Sequence, residues 1–117
     1  MNSTGAATHI YLNPIKTDRA DEWETFVHSV IMPVVARQRP ELSARVRLLR
    51  ADDEDDGATL FAFIFEGGDI VDFDLEPLFA AEYGEQDGRH RLQEWQDMFA
   101  RDQHGWTFHE VSPGHVV

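Results

Sequence analysis

The 117 residues amount to one ordinary domain, with room for a real core but not for a second unit. Against 10 basic side chains stand 22 acidic ones, a net charge of -12 that repels phosphate backbones and anionic lipid and so excludes nucleic acid and membrane as partners. There is no cysteine, which removes disulfides, thiolate catalysis and cysteine-rich zinc sites, and no signal peptide or long apolar span, so a cytoplasmic location is expected.

The first strand is read as His9-Ile10-Tyr11-Leu12-Asn13, closed by Pro14. Ile10 and Leu12 form its apolar row, expected to face the core, and His9, Tyr11 and Asn13 form an amphipathic row. Thr17 or Asp18 caps a helix with acidic residues in its first turn and a buried stripe of Trp23, Phe26, Val27, Val30, Ile31 and Val34. Pro33, inside that stripe, predicts a kink or an early end, and Pro40 a firm stop.

A second strand is expected from about Leu42 to Arg50, and the acidic run Asp52 to Asp56 with Gly57 reads as a hairpin tip. The third strand, Leu60-Phe61-Ala62-Phe63-Ile64-Phe65, is apolar on both faces, so both sides of its sheet must be covered. Gly67-Gly68 ends it. Asp69 to Gln103 is a long helical region broken near Gly84 to Gly88. Its apolar patches are Phe73, Leu75, Leu78 and Phe79, then Leu92, Trp95, Met98 and Phe99. Gly105 opens a last strand, Trp106 to Val111, and Pro113-Gly114 begins a tail.

The order β-α-β-β-α-β implies an α+β, ferredoxin-like domain spanning 1–117, with its core at about 8–112 and an antiparallel sheet in the order 4-1-3-2. Two helices cover one face, and the other face calls for a second copy of the chain, so a homodimer is expected. That order centres the first strand. His9, Tyr11 and Asn13 then form a candidate catalytic group, because a neutral imidazole accepts a proton near pH 7 while a phenol and an amide stabilise an enolate oxygen. The bland alternative is a set of satisfied polar residues at the dimer interface.

Other candidates are weighed the same way. Arg45 and Arg47 suit a carboxylate or phenolate clamp, or charge protection of an edge strand. Trp95 is a substrate contact or a core aromatic. No metal site is expected. His104 and His109, five apart, would lie on opposite faces of one strand. The Asp52-Glu54-Asp56-Gly57 series lacks the glutamate that a calcium loop needs at its twelfth position, where Phe63 stands. The serines lack a nucleophile elbow, and Gly67-Gly68 lacks a phosphate-loop pattern.

The early strand His9-Ile10-Tyr11-Leu12, the Trp23 helix ending near Pro40, the Arg45-Val46-Arg47-Leu48 strand, the aromatic third strand and the Leu92-Gln93-Glu94-Trp95 helix together resemble the dimeric α/β-barrel superfamily. That superfamily includes antibiotic-biosynthesis monooxygenases, polyketide cyclases, isomerases and haem-binding branches. The resemblance implies a cofactor-independent enzyme acting on an aromatic or polyketide-like compound by proton transfer, as cyclase, isomerase or monooxygenase. Its alternative is a non-catalytic dimer that binds a small hydrophobic molecule or a protein partner. By analogy with cyclases, His9 would work with Tyr83 or His90; by analogy with quinol monooxygenases, Asn13, Trp95, Tyr83 and Arg45 or Arg47 would handle substrate. His90 is the one histidine in a plausible helical place for haem.

Overall fold

The computed structural model describes residues 7–69 and 74–111; Phe73 and the Pro113-Gly114 tail fall outside the described residues. β1, Ala7–Lys16, runs on through Pro14, which had been expected to close it. The Pro14 carbonyl accepts the Ala100 N–H at 2.9 Å. In an antiparallel strand a residue's nitrogen points the same way as its carbonyl. The missing N–H of Pro14 therefore faces away from β3 (Ala58–Glu66), and the β1–β3 ladder continues unbroken from Thr8↔Glu66 to Lys16↔Ala58.

β2, Val46–Arg50, joins the far edge of β3, and β4, His104–His109, joins β1, giving the order β2-β3-β1-β4. This is the expected ferredoxin-like sheet. β2 is shorter than its sequence pattern suggested, because Pro40–Ser43 forms a short helix, α3, with proline at the position where no N–H is needed and Leu42 driven into the core. The β2–β3 hairpin turns on Asp56 and Gly57, both at positive φ (52° and 79°), and Asp55 and Ala58 exchange backbone bonds across it.

The register fixes which row of β1 meets the helices, and it reverses the expectation. His9, Tyr11 and Asn13 lie across from Phe65, Phe63 and Phe61 on the helix-covered face, with Ile15 below them. Ile10 and Leu12 lie across from Ile64 and Ala62 on the other face. Both faces of β3 are apolar, so hydrophobicity alone could not choose; the three phenylalanines are the bulkier row and take the covered side.

Above that row lie α1 (Ala20–Phe26), a π-helical turn (Val27–Ile31) and α2 (Met32–Gln38) in one continuous run. Pro33 neither ends nor breaks it. In the π turn the Met32 N–H donates to the Val27 carbonyl five residues back, so the wider ring takes up the position where proline's missing donor and bulk would disrupt a regular helix. The run closes at Arg39, whose φ and ψ of -141° and 72° leave the helical region. Trp23 is fully buried, with its ring 4.5 Å from that of Phe61 and stacked at 6.3 Å on Trp95. Truncating such an aromatic costs about 3–5 kcal/mol.

α4, Leu75–Tyr83, and α5, Glu85–Gln96, are separated at Gly84, whose φ of 90° only glycine adopts freely. They cross closely: a Cβ on Gly88 would stand 2.7 Å from the Phe79 carbonyl oxygen. Among the described residues no helix is long and apolar enough to cross a membrane.

Candidate functional site

Between the sheet and the helices lies a cavity of about 230 Å³. Its floor is Tyr11, Phe63 and Phe65; Met32, Val35, Leu42 and Val46 form one side, and Leu78, Leu92 and Trp95 the other. The polar lining is confined to Asp74 and Glu76 at the start of α4, Gln96 at the end of α5, Gln103 just before β4, and the Tyr11 phenol.

Tyr11 is half-buried, its ring meeting Phe65 edge to face at 5.8 Å. Burial, reinforced by the negative charge of Asp74, pushes its phenol above the ordinary tyrosine value. At neutral pH the phenol is therefore a protonated donor, with no hydrogen-bond partner among the described residues. Trp95 serves as both core and wall. Its buried indole N–H also lacks a partner among the described residues, as does that of Trp23. Such orphan donors are uncommon in folded chains.

Asn13 is fully buried and its amide fully used: Nδ2 donates to the Tyr11 and Phe61 carbonyls at 3.1 and 3.2 Å, and Oδ1 accepts from Gln103 Nε2 at 2.6 Å. It holds Gln103 at the cavity rather than lining it. His9 is buried behind this group. Its Nε2 lies 2.9 Å from the Gly68 carbonyl, which can only accept, so Nε2 carries the hydrogen; Nδ1 faces the Thr107 hydroxyl at 2.9 Å. Both ring nitrogens are engaged, and His9 is not part of the cavity wall.

The remaining sequence candidates lie elsewhere. Tyr83 stacks under the Arg91 guanidinium, 4.2 Å from its ring centre, and shares a separate surface depression with His90 at the α4–α5 turn. Exposed His90 sits 3.9 Å from Glu94 on the same helix. Arg45 precedes β2, its Nε donating to the Glu41 carbonyl at 3.1 Å, while Arg47, across from Ile64, is on the outer face. The structure thus gathers Tyr11 and Trp95 at the cavity, with Asn13 one hydrogen bond behind. Asp74, Glu76, Gln96 and Gln103 were missed, because they come from element ends where no periodicity marks them. Asp74 did leave one trace, as a helix-capping residue two positions before Glu76. Among the described residues no cluster of three or more histidines and carboxylates could hold a metal.

No family model and no curated protein sequence matches the chain. Solved structures do match its fold. One is a NIPSNAP family protein from Agrobacterium tumefaciens str. C58, with 5% identity over 97% of this chain and 92% of that one and a TM-score of 0.63. A monooxygenase from the gene ActVA-Orf6 of Streptomyces coelicolor, in complex with the ligand nanaomycin D, has 8% identity over 99% and 95% of the chains and a TM-score of 0.50. A protein of unknown function from Bacteroides fragilis NCTC 9343, described as dimeric and of ferredoxin-like fold, has 12% identity over 91% and 97% at a TM-score of 0.50. At these identities the likeness is one of architecture, and the chain has the ferredoxin-like α+β fold.

Proposed function

We propose that the protein is a small-molecule enzyme of the cofactor-independent monooxygenase or cyclase kind, acting on an aromatic or polyketide-like compound by proton transfer in the cavity between sheet and helices. The observation that carries this reading is the Tyr11 phenol: protonated, without a partner among the described residues, and set in a wall of aromatic and aliphatic side chains. A phenol so placed donates to a ligand carbonyl and strengthens that bond as the oxygen gains charge. The matching fold of a monooxygenase in complex with an organic ligand supports the choice of class. Among the described residues of the wall, the Asp74 and Glu76 carboxylates are the groups that can take up a proton, so in this reading the base is one of them rather than His9.

The test is turnover of a panel of aerated phenolic, anthrone and β-keto substrates, followed by oxygen uptake and product analysis. Tyr11→Phe should lower kcat by roughly 100-fold while the protein stays folded. The position of both carboxylates at the exposed mouth favours a second reading, a non-catalytic binder. Ligand-induced thermal stabilisation without any product would select it.

We also infer a homodimer formed through the outer sheet face. Trp106, Phe108 and Leu49 are 46%, 51% and 47% exposed there, beside Ile10, Leu12 and Ile64. Apolar side chains grouped on one exposed face of a chain of this charge support an interface there, and a second copy of the same face is self-complementary.

A further inference from the structure

The cavity wall holds two negative side chains and no positive one among the described residues. One of the two is fixed by the backbone. Asp74 caps α4, its Oδ1 accepting the Glu76 N–H at 3.2 Å, so its carboxylate cannot swing away without uncapping the helix. It lies near enough to Tyr11 for its charge to be felt at the phenol. The arginines that could have offset this charge are placed elsewhere: Arg45 is tied to the Glu41 carbonyl and Arg47 projects from the outer face. An entering carboxylate or phosphate would lose its water and meet two like charges with no guanidinium to receive it. Size narrows the choice further. An apolar cavity of about 150 Å³ holds one benzene ring, so about 230 Å³ suits two fused rings.

We propose that this cavity selects uncharged aromatic ligands of one or two rings carrying an acceptor oxygen for Tyr11, and that Asp74 and Glu76 act as a charge filter against anionic ligands. The proposal rests on the cavity being the ligand site. It adds that the substrate must arrive neutral, whichever carboxylate then takes its proton.

The test uses two near-isosteric probes, neutral 2-acetylnaphthalene and anionic 2-naphthoate, titrated by calorimetry and by shift of the thermal midpoint at pH 7.5 and low salt. The ketone should bind at least roughly 30-fold more tightly, the discrimination expected of like charges several ångströms apart at a partly solvated site. In the double variant Asp74→Asn, Glu76→Gln, whose asparagine still caps the helix, the gap should narrow by roughly tenfold, mainly through tighter binding of naphthoate. Equal binding of the two probes by the native protein would overturn the filter while leaving the cavity intact, and so would an unchanged gap in the double variant. Failure of the neutral ketone to bind would overturn the cavity reading itself.

Discussion

Gly105 of β4 lies across from Tyr11 of β1, and a Cβ on it would stand 2.7 Å from the Tyr11 ring. The edge strand omits a side chain where the phenol needs room. Gly105→Ala should therefore push the ring out of position, costing about 1–3 kcal/mol by overpacking. It should weaken ligand binding more than Tyr11→Phe does, since it moves the whole ring rather than removing one oxygen. Paired urea melts and ligand titrations of both variants would decide this; retained affinity in Gly105→Ala would mean that the ring position is unimportant.

Gly88 differs because its neighbour is backbone. With the Phe79 carbonyl oxygen at 2.7 Å from an added Cβ, α4 and α5 would have to separate. Gly88→Ala should destabilise by more than about 2 kcal/mol despite alanine's better helix propensity. If its urea midpoint matched that of the native chain, the close crossing would be wrong.

Asn13→Ala removes the donor used by two carbonyls and the acceptor used by Gln103. Unpaired buried groups cost about 1–3 kcal/mol each, so a loss near 3 kcal/mol is expected, together with greater mobility of Gln103. The combination of urea unfolding and side-chain amide NMR of Gln103 reports both effects.

Trp106→Glu on the outer sheet face should leave the monomer fold intact and abolish self-association, because β4 makes no use of this ring in the core. Sedimentation velocity at micromolar concentration should show a dimer for the native chain and a monomer for the variant. A native monomer would remove the interface.

Two pH windows follow from the ionisable groups. Glu82 is held below the ordinary glutamate value of 4.5, first by its hydrogen bond to Arg37 and then by that to Gln38; Glu22 and Glu41 are lowered mainly by Arg19 and Arg39. Their contribution is complete above the unfolded value and is lost as pH falls through the lower folded values; it is small, because Glu22 and Glu41 are exposed and Glu82, only partly buried, pairs with an exposed arginine. The raised phenol of Tyr11 works in the opposite direction: stability is complete below 10 and falls as pH rises through its folded value. Absorbance titration is direct, since the chain has 2 tyrosines. Tyr11→Phe should remove the step raised above 10.

The strand order and the broken helix at Gly84 were legible because β3 is two-sided and Gly84 stands between two apolar patches. The facing of β1 was not. A row reading His-Tyr-Asn looks solvent-bound, yet His9 and Asn13 are buried because each finds partners that lie far away in sequence, at Thr107, Gly68, Phe61 and Gln103. Hydrophobic alternation contains no information about such partners. The cavity rim failed for a related reason, since Asp74 and Gln103 stand at element ends and come together only through the packing of α4 and β4 around β1.

The π turn at Val27–Ile31 also bears on how this helix can change by insertion and deletion. Such a turn is an ordinary helix holding one surplus residue, and each residue added or removed elsewhere rotates everything beyond it by about 100°. A deletion within α1, ahead of the π turn, would swing Met32 and Val35 off the cavity wall. Removing one residue within 27–31 would restore a regular helix with both flanks still in phase, provided Pro33 were replaced in the same step. The surplus residue and the proline therefore form a single heritable unit, to be gained or lost together.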